Sequence, residues 1–164
     1  MKILYFGGQK SGKTSLSITK TLEISKSKKP YYVATYLDNY NDGEMKKRIK
    51  NHQTERKDDF ITMEEGLDIF SKLGKNETYL IDCVSMWILN NMEKSEEVLI
   101  SEIQKVMCSR NNIIFIINDV SSGIIPLDKM SRKFVDLTGI IGQEIAKACD
   151  EVYQVNYGIQ RRIK

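Results

Sequence analysis

Eight consecutive residues near the start of the chain, Gly7-Gly8-Gln9-Lys10-Ser11-Gly12-Lys13-Thr14, fit the pattern G-x-x-x-x-G-K-[ST] at every fixed position. The chemistry this spacing serves is the binding of nucleotide phosphates. Glycine at positions 7 and 12 lets the backbone turn its N–H groups toward phosphate oxygens with no side chain in the way. Lys13 offers a point charge to the outer phosphates, and the Thr14 hydroxyl is placed to ligate Mg²⁺. An apolar run precedes the loop and a helix-length segment follows it, so the positive end of a helix dipole faces the bound anion. A glycine-rich turn carrying a surface lysine is the alternative, and it would not need that strand-loop-helix context.

A phosphate loop of this kind requires an acid for its metal, held at the end of a neighbouring strand. Asp82 ends an apolar run and is the best-placed candidate, with an ordinary strand-end or helix-capping aspartate as the competing reading. Asp119 follows another apolar run and rivals it. The single histidine, His52, falls in a segment of helical spacing where Met45, Ile49, His52 and Arg56 make one stripe. A lone histidine in such a stripe is ordinarily a packed or surface residue. A neutral imidazole can nonetheless attack phosphorus near pH 7, and an arginine one turn away can hold developing phosphate charge.

The elements that must position these groups alternate. Apolar runs at 3–6, 31–35, 79–82 and 113–117 read as buried parallel strands, and the segments 13–25, 43–56, 64–73 and 96–108 read as helices, with 84–90 helical under the capping reading of Asp82. A long helix is expected over 129–149, with Gly139 and Gly142 implying a kink or close packing. Residues 151–155 and 159–163 flank Asn156-Tyr157-Gly158 as a terminal antiparallel hairpin. The fold class expected is α/β, a mostly parallel sheet flanked by helices, in a single domain over 1–164.

The 164 residues suffice for one such domain with a real core. The charge sum, 25 basic against 22 acidic residues or +3, is too mild to imply nucleic acid. Three widely spaced cysteines and one histidine exclude a disulfide framework and a His-rich metal centre. With no signal-peptide pattern and no apolar stretch of membrane-spanning length, a cytoplasmic location is expected.

With these residues placed, the sequence resembles the bifunctional adenosylcobinamide kinase and adenosylcobinamide-phosphate guanylyltransferase family of cobalamin assembly. The resemblance runs nearly the whole chain. It includes the loop at 7–14 and Val33-Ala34-Thr35. Asp42, Glu44-Met45, Arg48-Ile49, His52, Arg56, Thr62 and Glu64 follow in order. Leu80-Ile81-Asp82-Cys83 with Trp87 and Asn90, Asn118-Asp119-Val120, Gly123-Ile124, Pro126, Arg132, Phe134, Asp136, Gly139, Gln143, Asp150-Glu151-Val152 and Gly158-Ile159 complete the set.

The resemblance implies a RecA-like P-loop NTPase fold and a homotrimer. It implies phosphorylation of adenosylcobinamide by ATP or GTP, then transfer of GMP from GTP to the new phosphate through a guanylylated histidine, which matches His52. It also implies that nucleotide is contacted by the loop, by Ala34, Thr35 and Tyr36, by Gln53, Thr54, Glu55 and Arg56, and by Glu64 and Asp82. Departures from the family pattern occur at Lys57, Phe60, Ser121, Val135 and Gly142, none of them in the loop or at His52. Two other readings stay open: a P-loop kinase or nucleotidyltransferase for another small acceptor, and a non-catalytic nucleotide-binding relative.

Overall fold

The computed structural model describes residues 1–37 and 58–164. The expected helix over 43–56 lies outside them. In chain order the elements are β1 (Lys2–Gly7), α1 (Lys13–Ser25), β2 (Tyr31–Ala34), β3 (Ile61–Glu64), β4 (Thr78–Asp82), α2 (Val84–Asn90), α3 (Glu96–Met107), β5 (Asn112–Asn118), α4 (Lys129–Ala148), β6 (Glu151–Asn156) and β7 (Ile159–Arg162). Among the described residues seven strands form one sheet in the order β3-β2-β4-β5-β1-β6-β7. All pairings are parallel except the last, the antiparallel β6–β7 hairpin.

The central strands are near-continuous apolar runs because both of their faces are covered, as parallel strands require. Alternate residues point to opposite faces. Leu4, Ile81, Phe115 and Ile117 pack with Trp87 and Ile88 of α2, Leu99 and Ile103 of α3, and Leu137, Ile141 and Ile145 of α4. On the other face Ile3, Tyr5, Tyr32, Leu80, Ile114 and Ile116 meet Leu16, Ile18 and Leu22 of α1. Asp128 caps α4, its side chain accepting from the Ser131 N–H at 2.8 Å.

Two expectations are corrected. Residues 64–73 do not form a helix: β3 takes Ile61–Glu64, and a single 3₁₀ turn at Phe70–Lys72 follows. The first residues of that segment are held extended against β2, Glu64 pairing with Ala34 and the Glu65 N–H donating to the Ala34 carbonyl at 3.1 Å. Gly66 then passes so close to β2 that a Cβ would stand 2.5 Å from the Thr35 carbonyl oxygen. In α4, Gly139 and Gly142 are not points of close packing: a Cβ at Gly139 would meet nothing within 4 Å, and one at Gly142 only Ile117 at 3.9 Å. The helix runs unbroken from Lys129 to Ala148.

The sheet order separates the strand that carries the phosphate loop, β1, from the strand that ends in Asp82, β4, by β5 alone. This is the RecA-like arrangement, and it brings the ends of β1, β5, β4 and β2 to one rim, where open parallel sheets take their ligands.

Candidate active site

The rim is assembled by register. Gly7 ends β1 opposite Asn118 of β5, and the next residue, Asp119, donates its backbone N–H to the Gly7 carbonyl at 2.8 Å. Ala34 ends β2 between Asp82 of β4 and Glu64 of β3. Thus the loop, Ala34, Glu64, Asp82 and Asp119 share the carboxyl ends of adjacent strands although they are scattered over the sequence. Glu64 is exposed.

The loop's backbone has the shape its residues suggest. Gly12 has φ +96°, a region that L side chains rarely adopt, and α1 begins at the next residue. A Cβ on Gly7 would stand 2.2 Å from the Val155 carbonyl oxygen, which only glycine avoids. Lys13 is 5% exposed, and its Nζ donates to the Gly8 carbonyl at 2.6 Å and to Ser11 Oγ at 3.4 Å. Burial lowers its pKa below the ordinary lysine value, opposed by Cys83, Asp82 and Asp119. A buried cation facing two carboxylates across a glycine loop is a place for a polyanion with metal. Gln9 and Lys10 are exposed at the tip of the loop, and Thr14 is half-buried in the first turn of α1.

Behind the rim a polar frame fixes these groups. Thr35 is fully buried: its N–H donates to the Asp82 carbonyl at 3.2 Å, and its Oγ1 both donates to the Cys83 carbonyl at 2.9 Å and accepts the Cys83 N–H at 2.8 Å. The Asn90 amide donates to the Thr35 carbonyl at 2.8 Å. Tyr36 follows, half-buried. The sequence reading missed Tyr32, whose hydroxyl donates to Asp82 Oδ2. Only the register of the folded strands brings the two together, Tyr32 lying two residues before Ala34, the partner of Asp82.

Asp119 differs from Asp82. Its Oδ1 accepts the Ser121 N–H at 3.1 Å and the Ser121 hydroxyl at 3.0 Å, and its Oδ2 accepts the Ser122 hydroxyl at 2.6 Å. Partial burial works against its charge, but these bonds outweigh it and hold the carboxyl below the usual carboxylate range. Cys83 is buried, and burial pushes its thiol up to about 12. Among the described residues no group of three or more His, Cys, Asp or Glu side chains could hold a metal. The oxygen donors that this rim could offer a metal are the Thr14 hydroxyl and the Asp82 carboxylate, to which bound phosphates would add theirs. That donor set suits Mg²⁺, which binds through one or two carboxylates plus substrate oxygens. His52, Gln53, Thr54, Glu55 and Arg56 lie outside the described residues.

Among the described residues no helix is long and apolar enough to cross a membrane. Among solved structures, the chain is similar to a Pyrococcus horikoshii OT3 protein (TM-score 0.53, 13% identity, 99% of this chain and 85% of that one). It is also similar to an ATPase of a type III secretion system of pathogenic bacteria (TM-score 0.53, 12% identity, 98% of this chain and 56% of that one). These likenesses concern the fold. By sequence it is 30% identical over 186 residues to the bifunctional adenosylcobalamin biosynthesis protein CobU of Escherichia coli (strain K12), covering all of both chains. It is 28% identical over 176 residues to the bifunctional adenosylcobalamin biosynthesis protein CobP of Pseudomonas aeruginosa, covering all of this chain and 98% of that one. The family described as cobinamide kinase / cobinamide phosphate guanyltransferase matches residues 3–163. With the loop and its rim in place over that same span, the chain belongs to this family of transferases.

Proposed function

We propose that this protein phosphorylates the aminopropanol hydroxyl of adenosylcobinamide with ATP or GTP, and then transfers GMP from GTP to the resulting phosphate, giving adenosylcobinamide-GDP. What carries the reading is the family match over residues 3–163 on a chain whose loop keeps both fixed glycines, Lys13 and Thr14. In the first reaction the acceptor oxygen forms a bond to the γ-phosphorus and the bond to the β-phosphate oxygen breaks. The nucleoside diphosphate leaves and the hydroxyl proton is released. Lys13 and the loop's N–H groups hold the charge that spreads over the phosphate oxygens.

In the second reaction a ring nitrogen of His52 attacks the α-phosphorus of GTP. An N–P bond forms, the α–β phosphoanhydride bond breaks and pyrophosphate leaves. An oxygen of cobinamide phosphate then displaces the imidazole and restores His52. Splitting one displacement between two anions into two steps is what a covalent nucleophile supplies. Thr14 and Asp82 would hold Mg²⁺, whose charge offsets that of the phosphates. Gly7, Gly8, Gln9, Lys10, Ser11 and Gly12, with Ala34, Thr35, Tyr36, Gln53, Thr54, Glu55, Arg56 and Glu64, complete the nucleotide contacts. The protein acts as a single-domain homotrimer in the cytoplasm on a small-molecule corrinoid.

The test is intact mass after incubation with Mg²⁺ and GTP, beside the His52→Asn variant. An acid-labile GMP adduct on the unaltered protein alone, with cobinamide phosphorylation retained in the variant, is the expected result. Loss of both activities in His52→Asn would make the histidine structural. Turnover of another alcohol with indifference to adenosylcobinamide would reassign the acceptor.

A further inference from the structure

The turn that joins β6 to β7 is bolted to the phosphate loop. Gly158 donates its backbone N–H to the Ser11 carbonyl at 2.7 Å, and a Cβ on Gly12 would stand 3.1 Å from the Gly158 Cα. The same hairpin lies over the first glycine of the loop, through the Val155 carbonyl beside Gly7. Both central residues of the turn are left-handed, Tyr157 at φ +51° and Gly158 at φ +79°. Two-residue turns of this type favour Asn, Asp or Gly at both positions. A tyrosine with positive φ is a backbone outlier that invites a functional reading.

Tyr157 is also 98% exposed. The other tyrosine of the hairpin, Tyr153, is fully employed: its ring stacks on Tyr5 at 4.9 Å and its hydroxyl donates to Glu151 at 2.9 Å. Tyr157 has no ring contact and no hydrogen bond among the described residues. An aromatic face is thus held in water, one residue from the contact with the loop. The sheet order gives it a direction. Asp82 ends the strand two places to one side of β1, and the hairpin begins on the strand immediately to the other side. A triphosphate in the loop directs its γ end toward Lys13 and Asp82, so its nucleoside end leaves on the hairpin side.

We propose that Tyr157 is the stacking platform for the purine of the P-loop-bound nucleoside triphosphate in the kinase reaction, a role that rests on the nucleotide-binding reading above. Stacking uses the π-face that every base presents and reads no hydrogen-bond pattern, so one platform serves ATP and GTP alike. The backbone contacts from Val155 and Gly158 to the loop keep the platform at a fixed distance from the phosphates.

The test compares tripolyphosphate, ATP and GTP, each with Mg²⁺, by calorimetric titration of the full chain and of Tyr157→Ala and Tyr157→Phe. Exposure of the side chain makes both variants safe for folding. The expected result is affinity for ATP and GTP weakened together by roughly tenfold in Tyr157→Ala, retained in Tyr157→Phe, with tripolyphosphate bound equally by all three. Nucleotide affinity unchanged in Tyr157→Ala would overturn the proposal. So would a parallel loss of tripolyphosphate, which would make Tyr157 a support of the loop and not a base contact. Failure of the unaltered protein to bind any of the three would instead remove the nucleotide-binding reading itself.

Discussion

Two buried lysines stand at opposite ends of β1 and use the same ammonium group differently. Lys2, the first residue of the strand, is 7% exposed; Lys13, just beyond its far end, is 5% exposed. Burial lowers the pKa of both, with Asp150 chief among the groups opposing it at Lys2. Lys2 Nζ donates to the carbonyls of Ser109 at 2.9 Å and Asn111 at 2.6 Å, more than a hundred residues away in sequence. Its backbone closes a second ring, the Lys2 N–H donating to Asp150 Oδ2 at 2.6 Å and the Asp150 N–H returning to the Lys2 carbonyl at 2.8 Å. Among the described residues Lys13 Nζ bonds only to Gly8 and Ser11 of its own loop. Phosphate oxygens can replace those partners without unfastening one element from another. A buried cation tied to distant backbone is part of the fold, and one tied only to its own loop is available for chemistry.

The largest expected effect breaks this comparison at Lys13. Lys13→Ala should lower cobinamide phosphorylation and GMP transfer together by roughly 10²–10³-fold, because both reactions draw on the same cradled phosphates. The nucleotide-free thermal midpoint should stay within about 2 °C, since no long-range contact is lost. Steady-state assays beside thermal unfolding check both halves, and a variant that stays active but unfolds early would reverse the assignment. In the unaltered apo protein the lowered pKa means that Lys13 loses its proton earlier than an exposed lysine as pH rises. GTP affinity measured by titration should therefore decline along an alkaline limb that begins below 10.5.

A smaller and opposite effect is expected at Lys2. Lys2→Ala leaves the Ser109 and Asn111 carbonyls without their donor and should cost about 2 kcal/mol of stability. That is roughly 4–8 °C in midpoint for a chain of this size. Turnover per folded molecule should not change. Denaturant unfolding measures the first quantity and active-site-normalised kinetics the second, so a drop in turnover at full occupancy of the fold would show the two ends of β1 to be coupled.

The same contrast explains what could be read from the sequence. The strand-loop-helix unit from Lys2 to Ser25 was legible because its rules are local: an apolar run, two glycines at fixed spacing, then a helix start. The C-terminal hairpin and the long α4 were legible for the same reason. Residues 64–73 misled because their spacing is helical while Glu64 and Glu65 bond to Ala34 of β2 and hold the start of the segment extended. At the site, Asp82 was legible as an acid ending an apolar strand. The Tyr32 hydroxyl on that acid and the Asn90 amide on Thr35 were not, because each depends on register between strands or on a contact 50 or more residues long. The contact of Gly158 with Ser11 is farther still, and nothing near either residue announces it.

The smallest effect tests whether the site end of the sheet is packed as tightly as the far end. Each end holds a cysteine next to an aspartate, Cys83 beside Asp82 and Cys149 beside Asp150, and burial pushes both thiols up to about 12. At pH 8 each is then a thiolate in only about one molecule in 10⁴, and the sulfur is covered as well. Cys108, at the end of α3, is exposed. Brief alkylation of the native protein with iodoacetamide at pH 8 should therefore add one label, on Cys108, located by peptide mass mapping, and three in urea. Rapid labelling of Cys149 alone would mean that the Lys2–Asp150 lock is loose, and rapid labelling of Cys83 alone that the rim opens locally. That opening would have to pull Cys83 from the two bonds that tie it to Thr35, so saturating Mg²⁺ and GTP should suppress it while leaving Cys108 reactive. Protection of Cys83 without any change at Cys149 would place the ligand at the carboxyl end of the sheet by chemistry that owes nothing to turnover.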